Sequence, residues 1–569
     1  MKEEIKMADT KTGGFISKIQ FNNGSSVDIS KNDIVIFVGP NNAGKSQALK
    51  DIYNLSEKKC PATVITEITT GKYSGNLSCL LDSIATGQNQ GNYIRYTVLN
   101  GSVIIHNSNE SGFLQDPFFG DFRTLFVANM DTTARLSICC PPENITRDAP
   151  KQHPIHYAAF DSTYRKWLSE SFKKAFGTEV IPNTQFGSSV PLCMGEPVKF
   201  NEDFEDEQTR QEAYAKVLEG YKQVQNQGDG IKSFTGILLY LMLNYYCTYL
   251  IDEPESFLHP PQARIMGQII GETLSDQQQA FISTHSEDII KGLLETCPKR
   301  LKIIRITREG DANYFSVLDN NKFSEVWNDP LLRHSNIMSS LFHKTVVLCE
   351  SDADCQMYSI IESHIKQKQK KYAETLFVHC GGKQRMARII SALRALNVNV
   401  KTIPDLDVLN DKVAFKGLLE AYGIDWMCVQ SDYNIIVSQI HNCPRETINR
   451  LAARTAIIDL LDRSSDANLT IAEIKEIQET LKTVSKWENI KKMGVSAIPA
   501  GDATAAFGRL NTTLKSAGIY LVPVGELECF VKEIGGHGPS WVNNTLEKFP
   551  DLDNDIYSKI SEFVAELNL

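Results

Sequence analysis

The sequence has no apolar leader, no Cys-x-x-Cys pair, no Cys/His cluster at zinc spacing, no repeat of fixed period and no low-complexity tract. Its amino end, MKEEIKMADTKTGG, lacks the apolar core of a secretory signal, so a cytoplasmic location is expected. The 13 cysteines are odd in number and irregularly spaced, which argues against a disulfide framework and for thiols in a reducing compartment. Net positive charge is also missing. Lys+Arg 59 against Asp+Glu 69 leaves −10, which excludes a broadly basic nucleic-acid binder and restricts any such contact to a local patch. The one long uncharged run, residues 233–251, contains Thr235, Gly236, Asn244 and Thr248 and stops at Asp252. A buried helix followed by a buried strand explains it better than a membrane span.

What is present is length and apolar content: 569 residues, 42% hydrophobic, room for roughly two to four cores. The expected class is α/β throughout, with a domain boundary at 335–344. Residues 34–38 form a short apolar run that suits a strand buried on both faces. Residues 156–177 read as one amphipathic helix, with Tyr164, Leu168, Phe172 and Phe176 on a face and Gly177 ending it. The acidic stretch 201–207 reads as a solvated face. From 231 to 306 helices and strands alternate. A second alternation follows, with strands expected at 345–349, 376–379 and 398–403, helices near 444–492, and a last strand at 519–524.

Between the first strand and its helix, Gly39-Pro-Asn41-Asn42-Ala-Gly44-Lys45-Ser46 matches the full phosphate-loop pattern. Glycines let backbone N–H groups curl around phosphate oxygens, and the helix N-terminus adds partial positive charge. Lys45 would reach the β- and γ-phosphates, and the Ser46 hydroxyl would ligate Mg²⁺. The apolar run ending Asp252-Glu253-Pro-Glu255 supplies an acid for the Mg²⁺ shell, Asp252, and one to orient or deprotonate water, Glu253. Glu255 also fits an acidic helix start. A second such strand ends at His285, where a γ-phosphate contact is expected.

GPNNAGKS, LIDEPESFLHP and ISTHS, in that order, resemble the ABC-type ATPase heads of recombination and chromosome-maintenance proteins. The resemblance implies ATP sandwiched between two heads, each completing the other's site. No LSGGQ-like stretch is present. Gln227-Gly-Asp-Gly230, at a helix start, is the candidate for that role.

The second half carries different chemistry. Glu350 and Asp354 follow one strand, Gly381-Gly382-Lys383 a second, and Asp405-Leu-Asp407 a third. In an open parallel sheet, residues at the strands' carboxyl ends share one crevice. Glu350, Asp405 and Asp407 would then form an oxygen site for Mg²⁺ or Mn²⁺. Lys383, Arg385 and Arg388 on the next helix fit either a phosphodiester backbone or a solvated face. This ordered set resembles the Toprim fold of topoisomerases, bacterial primases, recombination mediators and certain nucleases, with Ser351 replacing the usual glycine. In Toprim nucleases of this kind a late acidic pair completes a second metal site, which makes Glu526 and Glu528 candidates; an acidic helix start is the alternative. The family also uses a downstream lysine, for which Lys532, Lys548 and Lys559 compete.

An ABC-type head joined to a carboxyl-terminal Toprim domain is the arrangement of the OLD (overcoming lysogenisation defect) endonucleases, a group that includes Gabija nucleases and some retron effectors. The resemblance implies an ATPase head over 1–340 with a helical insertion at about 150–228, and a Toprim domain over 341–569 with a helical insertion at about 430–500. It implies ATP with one Mg²⁺, and two further Mg²⁺ or Mn²⁺ ions about 4 Å apart at the Toprim site. Glu350, Asp354, Asp405 and Asp407 would hold one ion, and Glu526 and Glu528 would help hold the other. The implied activity is ATP-regulated hydrolysis of DNA in anti-phage defence. RNA cleavage, including of tRNA, and an ATP-driven clamp with an inert Toprim domain stay open. Implied partners are a second copy through the heads and a reverse transcriptase with its msDNA or another defence subunit, with no membrane.

Overall fold

Strand Ile34–Val38 is buried at all five positions, because its run IVIFV offers apolar side chains to both faces of a sheet. In the computed structural model, which describes residues 11–85, 87–91, 93–98, 101–106, 113–198, 206–318, 338–442, 450–463, 468–481 and 486–569, it lies inside a six-stranded sheet. The order is Ala312–Val317, Leu301–Glu309, Ile34–Val38, Gln279–Ser283, Thr248–Asp252, Val127–Met130; only Ala312–Val317 is antiparallel. The chain divides into two compact units, Met1–Trp327 and Asn328–Leu569. Of the boundary expected at 335–344, residues 335–337 lie outside the described residues, as do 201–205 of the acidic stretch.

Helices Asp229–Met242, Pro260–Thr273 and Glu287–Thr296 alternate with strands Thr248–Asp252, Gln279–Ser283 and Leu301–Glu309, the order expected for 231–306. The uncharged run 233–251 is the buried helix and strand it was read as. Among the described residues no helix is long and apolar enough to cross a membrane.

The helix expected at 156–177 is two, Pro154–Phe160 and Ser162–Phe176. Asp161 is extended, and its carboxylate accepts from the Thr163 amide at 2.7 Å, capping the second helix and ending the first. Local capping outweighed a periodicity that runs across the break. Gly177 closes the second helix at φ 72° as expected.

In the second unit Thr375–His379, Thr345–Cys349 and Asn399–Ile403 form a parallel sheet in that order. The strand expected at 519–524 is reduced to a single parallel bridge, Thr402 to Ile519. Backbone bonds nonetheless lay the segment along the sheet edge: Tyr520 N–H to Thr402 O at 2.8 Å, Val522 N–H to Pro404 O at 3.2 Å, and Leu406 N–H to Gly525 O at 3.0 Å. Between Ile403 and Ile519 the chain makes an excursion that includes helices Lys412–Tyr422, Trp426–Asn442, Arg450–Leu461, Ile471–Leu481, Lys486–Met493 and Asp502–Ala517. Val347, Cys349, Tyr358, Ile403, Val522 and Trp541 belong to one buried core.

Candidate functional site

The loop after Ile34–Val38 turns back tightly enough to leave room only for hydrogen at Gly39. Its φ is 141°, and a Cβ there would lie 2.0 Å from the Ile306 carbonyl oxygen. Asn42 and Gly44 also have positive φ, at 59° and 98°. The loop delivers the chain into helix Lys45–Glu57, whose N-terminus has no side-chain cap. Uncapped first-turn N–H groups suit an anion, so the residues present fit a nucleotide's phosphates. Lys45 is buried and donates to the Gly39 and Pro40 carbonyls at 2.9 and 2.8 Å. Burial lowers its pKa to about 8, against the pull of Glu253, Glu255 and Asp252. Ser46 is half-buried in the same first turn.

Asp252 accepts from the Ser283 hydroxyl across the paired strands. Glu253 sits at φ 46°, an uncommon conformation for a side-chain-bearing residue, and its carboxylate lies 3.7 Å from His285 Nε2. Burial, then Lys45, lowers the His285 pKa. Glu255 is committed to structure: its Oε1 accepts from the His285 amide at 2.7 Å. A Cβ on Gly230 would lie 2.5 Å from Phe257 O, so the helix start read as a signature loop packs on the loop after Glu255 of its own chain.

Sequence reasoning missed Arg135. It is fully buried and donates to Met130 O at 3.2 Å, to Asp252 O, and to Glu253 O at 3.3 Å, fixing the backbone of both acids. Arg135→Met would leave these carbonyls without their donor. It is expected to destabilise the first unit by about 3 kcal/mol, read by denaturant unfolding. An arginine read from sequence carries no mark of burial, which is why it was missed.

In the second unit, Glu350, Asp405 and Asp407 each place a carboxylate oxygen within 4.8 Å of the others'. The sheet register brings the ends of Thr345–Cys349 and Asn399–Ile403 side by side, and the Asp405 amide donates to Glu350 Oε1 at 3.1 Å. Burial raises the pKa of Glu350 and, further, that of Asp405 above their ordinary values, with the neighbouring acids adding to both. All-oxygen donors whose mutual repulsion a divalent cation would relieve are a fitting set for Mg²⁺ or Mn²⁺.

Asp354 is outside this group of three. Its carboxylate accepts from Ser351 N at 2.9 Å and Ser351 Oγ at 3.0 Å in a capping box at the start of helix Asp352–Lys368. Ser351, where glycine was expected, provides half of that box. Asp354 still contributes field, raising the pKa of Asp405. Glu526 and Glu528 form a second group with His537, again within 4.8 Å.

Two lysines reach the carboxylates. Lys383 Nζ is 3.0 Å from Asp407 Oδ2, an ion pair with the acidic cluster. Lys491 Nζ lies 3.6 Å from Asp405 Oδ2 and 3.2 Å from Glu526 Oε2, bridging the two groups. Burial would lower its pKa, but Asp405, Glu526 and Asp407 outweigh it and raise the value. Gly525 makes this approach possible: at φ 106°, a Cβ there would lie 2.0 Å from Lys491 O. Arg385, Arg388, Lys532, Lys548 and Lys559 are exposed.

A phosphate loop with its acidic strand, and a parallel sheet whose ends gather carboxylates, define an ABC-type ATPase head joined to a Toprim domain. Residues 341–407 match the family described as overcoming lysogenization defect protein-like, TOPRIM domain. The Old nuclease of Escherichia phage P2 is 20% identical over 267 residues, 45% of this chain and 43% of that protein. The chain thus spans less than half the length of the curated relative it matches. Among solved structures, the Smc head bound to the C-winged helix domain of ScpA is 14% identical with a TM-score of 0.33, over 54% of this chain and 99% of that one. The SMC head domain from Thermotoga maritima is 13% identical with a TM-score of 0.29, over 55% of this chain and 100% of that one. By these matches the chain carries, behind its phosphate-loop unit, a Toprim domain similar to those of OLD-like proteins.

Proposed function

We propose that the chain is an ATP-regulated, divalent-metal-dependent nuclease that hydrolyses DNA phosphodiester bonds at the Toprim carboxylates. The observation that carries this reading is the convergence of Glu350, Asp405 and Asp407 from two strand ends. Glu350, Asp405 and Asp407 would hold one divalent ion, with Asp354 shaping the field around them. Glu526 and Glu528 would help hold a second. When bound, such ions supply Lewis-acid activation of water and of the phosphodiester. The chain's own part is to orient the carboxylates through the Glu350–Asp405 backbone bond and to hold ammonium groups beside them.

Lys491 takes the place of the downstream lysine sought in sequence. Its charge would oppose the negative charge that develops on the phosphoryl group. Lys491→Ala is expected to lower cleavage about 10²-fold, measured as initial nicking rate at saturating Mg²⁺.

In the head, Lys45, Ser46 and the loop amides would hold the nucleotide, Asp252 its Mg²⁺, and Glu253 with His285 the attacking water. Two heads would pair around ATP and gate access to the Toprim site. A role in phage defence, with a reverse transcriptase and its msDNA or another defence subunit as partner, follows from the resemblance to OLD-type effectors. The test is plasmid cleavage with Mg²⁺ or Mn²⁺, with and without ATP, comparing the native chain with Glu350→Gln. End-labelled RNA beside DNA decides the substrate, and cleavage that survives Glu350→Gln would refute the reading.

A further inference from the structure

The second acidic group includes a histidine. Glu526 and Glu528 flank the start of the short turn Leu527–Phe530, and the chain then loops back through two glycines, Gly535 and Gly536, to present His537. The Gly538 amide closes this loop by donating to Glu528 Oε1 at 2.8 Å, and His537 Nδ1 stands 3.6 Å from the same oxygen. One ligand atom from each of Glu526, Glu528 and His537 falls within 4.8 Å of the others, a spacing one cation can span.

An independent feature lies in the core that Leu527 and Phe530 of this turn share with Tyr358. The Tyr358 side chain is fully buried and its hydroxyl has no hydrogen-bond partner. Burial and the charges of Asp354, Asp405 and Glu528 raise its pKa, so the phenol is within electrostatic reach of both acidic groups. A buried donor left unmade costs free energy, and carboxylates drawn inward by a bound ion would give it an acceptor.

We propose that Glu526, Glu528 and His537 form a mixed carboxylate–imidazole site for a divalent first-row transition cation, with Mn²⁺ bound in preference to Mg²⁺. Mg²⁺ is a hard ion that keeps oxygen ligands and dehydrates reluctantly. Imidazole nitrogen adds little to its binding but strengthens that of transition ions. The Glu350, Asp405 and Asp407 group offers oxygen alone, so the two sites differ in kind. This inference rests on the metal-dependent reading above and deepens it.

The test is electron spin-echo envelope modulation on the full chain, nucleotide-free and loaded with Mn²⁺, for wild type, His537→Gln and His537→Asp. His537 is 80% exposed, so neither substitution disturbs the core. Wild type is expected to show ¹⁴N modulation from a coordinated imidazole. Both variants are expected to lose it while retaining Mn²⁺ at the all-oxygen group, and their preference for Mn²⁺ over Mg²⁺ should shrink in competition titrations. Mn²⁺ bound without imidazole modulation in wild type, or modulation that persists in His537→Gln, overturns the imidazole site and leaves the carboxylate reading standing. A chain on which neither Glu350→Gln nor His537→Gln changes Mn²⁺ binding overturns both.

Discussion

Asp405→Asn is expected to abolish cleavage while raising the melting temperature of the metal-free chain. The two effects share one cause. Asp405 is buried beside Glu350, Asp354 and Asp407, and only Lys491 among its main electrostatic partners opposes that repulsion. Its folded-state pKa is therefore raised above the unfolded value of roughly 3.9. A carboxylate with a raised folded pKa costs stability at every pH above that folded value, and the cost fades as pH falls through it. Asparagine keeps the shape and removes the charge, so the gain in melting temperature is present at pH 7 and shrinks on acidification. Mg²⁺ or Mn²⁺ should reverse the ranking, stabilising wild type but not the variant. Cleavage should fall at least about 10³-fold, since metal-borne charge stabilisation supplies several kcal/mol. Plasmid nicking and thermal unfolding, each with and without metal, check the pair. A variant that cuts at a tenth of the native rate would remove Asp405 from the chemistry.

Lys45→Ala is expected to eliminate ATP hydrolysis, by about 10²-fold or more, and to make cleavage indifferent to ATP. Lys45 is buried and held against the Gly39 and Pro40 carbonyls, with Asp252, Glu253 and Glu255 contributing attractive charge. Its pKa of about 8 keeps most of the ammonium charged at neutral pH. Alanine removes the one cationic side chain of the loop Gly39–Ser46 and leaves the loop's glycines untouched. Phosphate release measures the first effect, and cleavage across an ATP titration measures the second. Retained ATP control of cutting would mean that the nucleotide acts elsewhere.

Much of this was legible in the chain because the informative patterns are local. IVIFV before GPNNAGKS, and TYLID before EPE, announce buried strands ending in chemistry, and both strands are there. The carboxylate group was legible for a related reason: three strands ending in acids or glycines meet at one sheet edge if the sheet is parallel, and it is. What could not be read depends on contacts distant in sequence. Lys491 is one of 59 basic residues and lies upstream of Glu526, where no motif pointed. Only the close packing of its helix on Gly525 brings it to the acids. His537 was passed over because a single histidine beyond an acidic pair has no fixed spacing to recommend it. The bond from the Ser351 amide and hydroxyl to one oxygen of Asp354 was not legible either, because the strand-to-helix motif marks the acid and not its capping role. The break at Asp161 was hidden by apolar residues that keep helical phase on either side of it.

The excursion between Ile403 and Ile519 begins and ends on neighbouring positions of one sheet edge. Topologically the stretch after Asp407 is a cassette: its contents could be exchanged during divergence without altering how the strands line up. Yet helix Lys486–Met493 within it lends an ammonium group to the acids. A lineage that swaps this cassette must bring a replacement cation or leave Asp405 and Glu526 without the ammonium group they now share.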